Sequence, residues 1–334
     1  MESAMKQVVW MMVLMGCGSD HDFIGDAAPP VFDNPVDVED EERTDRFIQT
    51  PPTVVDVLFV IDDSGSMDDE QDQLADNFPS FFNWFLGSGV DYHVGVTSTD
   101  MFNPSKMGRL TSAAGVLWID PDTPNAEAVF TDMAMLGTDG DGTESGIAAA
   151  YSALELRKDG YNEGFLREEG SLQVVLISDE QDQSGNDPIT RVEFVEFLVA
   201  LEGEKEEVGF SSIVTPPGVW GPGGETPGTN YLWVTHKVGG KQFDIRESNW
   251  SGLLDQLGLE ALGLEREFFL SQLPVVDTIE VSEVVDGITQ VFEVEDEWFY
   301  DADRNSVTFT SHIPDPYAEI LIHYTTRAAV NRAP

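Results

Sequence analysis

Short apolar runs alternate with amphipathic segments through the middle of the chain. Residues 54–61 and 172–178 are nearly unbroken apolar runs rich in β-branched side chains, which is typical of strands buried in a parallel sheet. Between such runs, apolar residues recur at helical spacing, as in the stretch 74–85. Further strands are predicted at 92–98, 208–215 and 242–245. The alternation predicts an α/β fold over residues 53–263, with a doubly wound, mostly parallel, Rossmann-like sheet.

The pattern changes over residues 264–334, where apolar and polar residues alternate with a period of two. Turn-forming residues such as those at 301–305 separate the alternating segments. Strands are predicted at 278–285, 290–294, 297–300, 306–310 and 319–324. This part of the chain therefore predicts a small antiparallel β domain that follows the α/β domain.

The first residues have the pattern of an export signal. Val8–Met15 is an apolar run far shorter than the ~20 residues that span a bilayer, and it suits a signal peptide over residues 1–16. Leu14-Met15-Gly16-Cys17 resembles the bacterial lipobox, which implies a lipid on Cys17. Gly18 behind it implies sorting to the outer membrane of the cell envelope. The alternative is an ordinary exported or cytosolic start with a chance cysteine.

Residues 17–52 are rich in Asp, Glu and Pro and show no sustained period. Such a segment buries too little apolar surface to fold, and its like charges repel one another. We therefore expect residues 17–52 to be an acidic, disordered tether that holds the folded part away from the membrane.

The charge of the chain excludes several kinds of partner. Its 334 residues include 62 Asp and Glu but 17 Lys and Arg, a formal net charge of −45. We expect no nucleic-acid binding, and membrane contact through the lipid anchor only, because the chain repels phosphate and lacks a basic stretch. Cys17 is the only cysteine and the five histidines are scattered, which argues against internal disulfides and against zinc or histidine metal centres.

Oxygen-bearing side chains lie at the ends of the predicted strands. Asp62, Ser64 and Ser66 form a D-x-S-x-S motif directly after the first apolar run, and alternation points them to one side of an extended loop. Asp179 follows the second buried strand, and Thr143 lies in a loop ahead of a predicted helix. Ligands of parallel sheets bind beyond the carboxyl ends of the strands. Hard oxygen ligands of this kind suit Mg²⁺, Mn²⁺ or Ca²⁺.

These motifs, in this order, resemble the von Willebrand factor type A family, and the resemblance covers about residues 53–263. It implies a metal-ion-dependent adhesion site made of Asp62, Ser64, Ser66, Thr143 and Asp179. In that family the hydroxyls are direct ligands, the carboxylates often act through water, and an acidic group of a protein partner completes the metal shell. The sequence departs from the family at Glu180, where Gly is usual, and Asp182 adds further charge. These two are either extra cation ligands or part of a solvated acidic loop.

Other functional classes fit the sequence less well. The chain has no P-loop and no G-x-S-x-G motif, and position 64 is Ser where a D-x-D phosphatase needs a second carboxylate. Nucleotide binding is therefore not expected, and we expect a binding protein and not an enzyme. A metal-dependent hydrolase and a metal-free structural scaffold of the envelope are the alternatives. The segment 139–144 resembles the start of an EF-hand but lacks the later ligands, so it is predicted to be a loop.

Three further features concern the partner. Trp220 lies in a long Pro- and Gly-rich loop, and it either contacts a partner or folds back as a plug. Asp100 follows the second strand and is a weaker candidate for the same face. The last predicted helix, residues 249–262, joins the two predicted domains, so we expect it to couple occupancy of the metal site to the β domain.

Overall fold

From residue 54 to residue 261 strands alternate with helices, and further strands lie on both sides of this segment. The computed structural model describes residues 41–86, 88–203, 205, 207–221, 225–310 and 312–326. The described residues all belong to one compact unit that begins at Asp40. The predicted signal peptide, Cys17 and most of the predicted tether lie outside the described residues.

The strands are β1 (Glu42–Ile48), β2 (Val54–Ile61), β3 (Asp91–Ser98), β4 (Ser171–Ser178), β5 (Val208–Val214), β6 (Gln242–Asp244), β7 (Glu267–Phe269), β8 (Glu280–Val285), β9 (Ile288–Phe292), β10 (Trp298–Asp301), β11 (Ser306–Phe309) and β12 (Glu319–Thr325). The helices are α1 (Asp68–Phe82), α2 (Ala126–Ala134), α3 (Gly146–Tyr151), α4 (Arg191–Glu202), α5 (Thr229–Val238) and α6 (Trp250–Ala261). A π-helical turn, Ser152–Leu156, continues α3. None of the described helices combines the length and apolar character needed to cross a bilayer.

The central sheet is parallel throughout, with the strand order β3-β2-β4-β5-β6. Successive side chains of β2 point to opposite faces, so Phe59 and Leu58 enter different cores. One core packs α1, α2 and α6 on the sheet, and the other packs α3, α4 and α5. Helices therefore cover both faces, and the predicted doubly wound α/β architecture is confirmed.

Two antiparallel sheets form the β domain, in the strand orders β1-β12-β8-β9 and β10-β11-β7. Their apolar faces share one core, in which Phe292 meets Phe309 edge to face with ring centroids 5.4 Å apart. The prediction of an antiparallel β domain after the α/β segment is thereby confirmed.

The predicted tether is wrong for Glu42–Ile48, because these residues form β1 and pair antiparallel with all of β12. Composition alone misses this strand, because its partner lies far away in the sequence. Phe47 packs against the ring of Phe268 at 5.1 Å, and Asp45 accepts hydrogen bonds from Ser271. The β domain is thus built from both sides of the α/β segment, which is inserted between β1 and β7.

Candidate functional site

The candidate site lies at the carboxyl edge of the central sheet, where β2 and β4 run side by side. Because these strands are parallel neighbours, the residues that follow them emerge at the same edge. The backbone N–H of Asp62 still donates to the carbonyl of Ile177 at 3.0 Å, which fixes the start of the first loop beside the end of β4. Asp62 and Asp179, predicted from their positions after the two apolar runs, therefore lie close together.

The D-x-S-x-S loop is held by hydrogen bonds to the Asp62 carboxylate. Its Oδ1 accepts from the backbone N–H of Ser64 at 2.8 Å, and its Oδ2 accepts from the Ser178 hydroxyl at 2.6 Å. The hydroxyls of Ser64 and Ser66 are 3.3 Å apart, so both face the same space, as the alternation predicted. Asp62 is fully buried, and burial raises the pKa of its carboxyl despite these donors.

Asp179 faces this loop from the end of β4. It is only 4% exposed, and its Oδ1 atom is shielded from solvent and has no hydrogen-bond donor among the described residues. Burial, together with the charge of Asp62, raises the pKa of Asp179 to about 7, although a hydrogen bond from Ser66 lowers it in part. A buried acceptor without a donor is costly, so a cation or a proton at this oxygen would stabilise the site.

Thr143 lies in the loop before α3 and is half-buried, and its role as a ligand stays a prediction. It directly precedes Glu144, a fully buried residue whose carboxyl interacts with Asp62. Glu144 accepts a hydrogen bond from the Thr99 hydroxyl at 2.5 Å, while its second oxygen has no partner among the described residues. Burial and the charge of Asp62 raise the pKa of Glu144 strongly. Sequence reasoning passed over Glu144, since a single Glu in a polar loop carries no signal of burial.

The two extra acidic residues after β4 have different positions. Asp182 is buried, and its Oδ1 accepts from the backbone N–H of Ile147 at 3.2 Å and from the Ser184 hydroxyl at 2.6 Å. It is therefore committed to the start of α3, and both sequence interpretations, extra ligand and solvated loop, are wrong for it. Glu180 is half-buried. Burial and the negative charge of Asp62 raise the pKa of its carboxyl, so Glu180 lies close enough to Asp62 to feel its charge.

A half-buried lysine neutralises the acids on the β3 side of the edge. The ammonium of Lys106 binds Asp63 Oδ2 and lies 3.4 Å from Asp100 Oδ2. The other oxygen of Asp100 accepts from the backbone N–H groups of Phe102 and Asn103 at 2.9 and 3.0 Å. Asp100 is thus 3% exposed and occupied within its own loop. Its role in partner binding remains a prediction, and the geometry does not add to it.

Trp220 projects from the long loop after β5 and is 73% exposed. It lines a cavity of about 380 Å³ together with Glu180, Gln183 and Thr226. The loop is tied to the site, because the Asp179 carbonyl accepts from Thr226 N at 3.0 Å and from the Thr215 hydroxyl at 2.9 Å. Of the two sequence interpretations, the exposure favours a contact surface, since a plug would bury the ring.

The donor set fits a divalent cation that prefers oxygen. No cluster of three or more His, Cys, Asp or Glu side chains forms a metal centre in the described part of the chain, so a cation here depends on the hydroxyls as well. Two buried carboxylates and the hydroxyls of Ser64 and Ser66 share one space, and Asp179 Oδ1 lacks a donor. These are hard ligands suited to Mg²⁺, Mn²⁺ or Ca²⁺.

Comparison with known proteins gives similarity in fold. No protein-family model matches the chain, and no curated protein matches it. A von Willebrand factor type A structure from Catenulispora acidiphila is 12% identical with a TM-score of 0.37, over 90% of this chain and 68% of its own. The pilus adhesin SpaC from Lactobacillus rhamnosus GG, in its open conformation, is 12% identical with a TM-score of 0.45, over 88% of this chain and 44% of its own.

Proximal thread matrix protein 1 from the mussel byssus is 13% identical with a TM-score of 0.40, over 67% of this chain and 51% of its own. The chain thus spans about two thirds of the first of these proteins and about half or less of the other two. At these identities and scores, the likeness carries no information about binding or activity. The chain is similar in fold to a von Willebrand factor type A structure, to a pilus adhesin and to a thread matrix protein.

Proposed function

We propose that this chain binds a protein partner through a divalent cation held by Asp62, Ser64, Ser66, Thr143 and Asp179. The observation that carries the proposal is the Asp179 Oδ1 atom, a buried acceptor that lacks a donor among the described residues, on a carboxyl that feels the charge of Asp62. Lys106, on the β3 side of this edge, is already bound to Asp63 and Asp100. A cation from solution would therefore neutralise the two buried carboxylates.

The chain's own residues have distinct tasks in this proposal. Asp62 is immobilised by Ser178 and by the backbone of Ser64, so its carboxylate is held in place before a cation arrives. Ser64, Ser66 and Thr143 supply neutral oxygens. With only two charged ligands, a bound Mg²⁺, Mn²⁺ or Ca²⁺ keeps an electrophilic open position that an oxygen of the partner can fill.

The partner's group is a carboxylate, because the five protein oxygens leave one position of a six-coordinate shell open and a carboxylate is a strong ligand for hard cations. The net charge of −45 slows the approach of such a partner. Beyond ~8–10 Å that field is screened at physiological salt, so it affects the association rate more than the bound state. Exposed Trp220 at the rim supplies apolar contact area beside the metal.

The proposal makes the chain a binding protein and not an enzyme. The hydroxyls of the site contact each other and carboxylates: Ser64 meets Ser66, and Ser178 donates to Asp62. A serine nucleophile needs a base that takes its proton, and Asp62 is already occupied by two donors. A metal-dependent hydrolase stays an outcome that a turnover assay with the loaded protein would reveal.

From the N-terminal sequence we infer that the binding domain is held at the cell envelope. The lipobox-like motif Leu14-Met15-Gly16-Cys17 favours a lipid anchor on Cys17, and Gly18 favours sorting to the outer membrane. Because β1 begins at Glu42, at most the residues from Cys17 to Glu41 act as the spacer. Metabolic labelling with a palmitate analogue tests this part, and the Cys17→Ala variant should lose the label.

Partner capture tests the binding function. The full chain is immobilised, incubated with an envelope extract in millimolar Mg²⁺, cross-linked and washed, with parallel samples in chelator. We expect a partner that is retained in Mg²⁺, released by chelator and lost with Asp62→Ala. Asp76→Asn, an exposed change on α1, is the control and should retain it. If the same amount of partner is captured in chelator and by the Asp62→Ala variant, the interaction is not bridged by a metal.

A further inference from the structure

A cavity of about 300 Å³ opens beside the candidate metal site, on the β3 side of the same edge. We propose that this cavity binds a small oxyanion, either a carboxylate side chain of a partner or a free inorganic anion such as sulfate. Its polar lining consists of Ser98, Ser105, Lys106, Arg109, Thr111, Ser112 and Tyr161. The hydroxyls of Ser98 and Ser105 already donate to Asp63 and Asn103, so the remaining side chains of this lining supply the donors for a ligand.

The lining is unusual for this protein because of its charge. The chain has 62 acidic and 17 basic residues, yet the cavity is lined by Lys106 and Arg109 and by no carboxylate. The larger cavity at the start of the β domain instead combines four glutamates, namely Glu207, Glu260, Glu265 and Glu267, with Lys241 and Arg266. Lys106 is paired with Asp63 and Asp100, so the positive charge that has no carboxylate partner among the described residues is that of Arg109, and this charge attracts anions to the cavity.

Arg109 is the residue that most needs a ligand. Its Nε atom is shielded from solvent and has no hydrogen-bond acceptor among the described residues. The guanidinium lies over the Tyr161 ring with its Cζ atom 4.9 Å from the ring centroid. Because Nε is shielded, a ligand in the cavity would bind the in-plane Nη groups, for which the described residues provide no acceptor either. An oxyanion in the cavity would accept from them, and charge-assisted bonds of this kind are among the strongest in proteins.

Lys106 supplies a second, fixed positive charge. Asp63 and Asp100 hold its ammonium in place, and Asp63 is in turn anchored by the Ser98 hydroxyl at 2.8 Å. Because these contacts order the lysine before any ligand binds, little side-chain entropy is lost on binding. The hydroxyls of Thr111 and Ser112 can rotate to donate toward the anion, whereas those of Ser98 and Ser105 already donate to Asp63 and Asn103.

The cavity and the metal site share structural elements. Asp63, which binds Lys106, is the neighbour of Asp62 in the D-x-S-x-S loop. Met135 and Leu136 line the cavity and lead into the loop that carries Thr143. A partner segment with a second acidic residue could therefore reach this cavity, whereas a free anion would occupy it independently. The volume is at the lower end for ligand pockets and suits a single small anionic group.

Anion titration of the full chain tests the proposal without relying on the metal site. Sodium sulfate and sodium succinate are each titrated in chelator, at constant ionic strength set with chloride, and binding is followed by calorimetry. We expect saturable binding of at least one anion, weakened roughly tenfold or more by Arg109→Gln, which removes a charge-assisted bond. If the chain binds succinate but not sulfate, the natural ligand is a carboxylate of a partner. If it binds sulfate, the natural ligand is a free inorganic anion.

Arg191→Gln is the matched control, because Arg191 also stacks on an aromatic ring, 4.8 Å from the centroid of Trp233. It should bind the anions as the wild type does. Arg109→Lys keeps the charge without the planar donor set and should bind with intermediate affinity, even if Arg109→Gln fails to fold. Absence of saturable binding, or equal binding by wild type and both Arg109 variants, would overturn the proposal. Either result leaves the metal site untouched, since no divalent cation is present.

Discussion

Asp179 shows how the site is balanced between charge and burial. Its carboxyl is almost fully buried beside Asp62, and one of its oxygens has no donor among the described residues. Ionising such a group inside the protein costs free energy unless a positive charge is supplied. The cost of ionising Asp179 is therefore an electrostatic defect that a divalent cation would remove.

This defect predicts the behaviour of Asp179→Asn. The pKa of Asp179 is raised from 3.8 to about 7, so its contribution to stability is full below pH 3.8 and is lost as the pH rises through about 7. At pH 8 in chelator, the variant should therefore be more stable than the wild type, by roughly 1–3 kcal/mol in urea unfolding. It should also lose any stabilisation by Mg²⁺.

Asp76→Asn is the control for this experiment, since Asp76 lies on the exposed side of α1 and should change stability by less than about 0.5 kcal/mol. An Asp179→Asn protein that is less stable than the wild type in chelator would show that the buried carboxylate is satisfied without a cation.

Trp220 should matter for binding and not for folding. Its ring is 73% exposed, so Trp220→Ala should change the free energy of unfolding by less than about 0.5 kcal/mol. If Trp220 contacts the partner, the dissociation constant of the captured partner should rise about tenfold or more, measured by surface plasmon resonance. Phe299→Ala, a partly exposed aromatic residue of β10, is the control. Unchanged affinity in Trp220→Ala would remove this loop from the interface.

Sequence alone located the charged and hydroxyl groups of the site but not their surroundings. Asp62 and Asp179 could be predicted because long apolar runs end directly before them. Glu144 and Lys106 could not, because their burial depends on loops that meet only in the folded chain. Asp182 was misread for the same reason, since its role at the start of α3 depends on a contact with Ile147.

At the scale of elements, β1 is the segment whose structure differs most from the sequence prediction. Its anchor to the β domain is Asp45, which accepts from the Ser271 backbone at 2.7 Å and from the Tyr324 hydroxyl at 2.8 Å. Burial pushes the pKa of Asp45 up, but these hydrogen bonds together lower it below its ordinary value. The ionised form of Asp45 is therefore the one that stabilises the docking of β1.

Asp45→Asn should lower the free energy of unfolding by about 1–2 kcal/mol at pH 7, measured by urea unfolding. Because the pKa is lowered in the folded state, the stabilisation is present above pH 3.8 and is lost as the pH falls through the folded-state pKa. The difference between wild type and variant should therefore shrink in acid. Glu42→Gln, at an exposed position of β1, should have little effect. A difference that is constant with pH would exclude this ionised contact.

The elements that sequence predicted are those with a strong and continuous pattern. Strands β2 and β4 are buried along nearly their whole length, so their apolar runs identified them. Helix α5 was missed, because it follows a Pro- and Gly-rich loop and buries only Tyr231, Val234 and Thr235. Strand β1 was missed because the charge and proline content around it resemble a disordered tether.

At the scale of the whole molecule, α6 links the two parts of the chain. It packs against α1, where the Trp84 indole donates to Asp255 at 3.0 Å and the Ser80 and Ser251 hydroxyls are 2.7 Å apart. Asp255 also binds Arg266 at 2.7 Å, just before β7. Because α1 follows the D-x-S-x-S loop directly, these contacts form a continuous path from the site to the β domain.

This path predicts that cation binding changes hydrogen exchange in the β domain. Saturating Mg²⁺ should slow amide exchange in residues 264–326 several-fold if the site and this domain are coupled. Asp255→Asn removes the shared ion pair and should weaken that response while leaving protection of the metal loop intact. If saturating cation leaves the amide exchange rates of residues 264–326 unchanged, α6 does not couple occupancy of the metal site to the β domain.

The most direct test of the central claim is thermal unfolding of the full chain with and without cations. Wild type and Asp62→Ala are compared in chelator and in millimolar Mg²⁺, Mn²⁺ or Ca²⁺, with Asp76→Asn as the control. A cation at 100 times its dissociation constant should add about 2.7 kcal/mol of stability to the wild type and the control and nothing to Asp62→Ala. No shift with any cation, or an equal shift in Asp62→Ala, would contradict a metal site at this edge of the sheet.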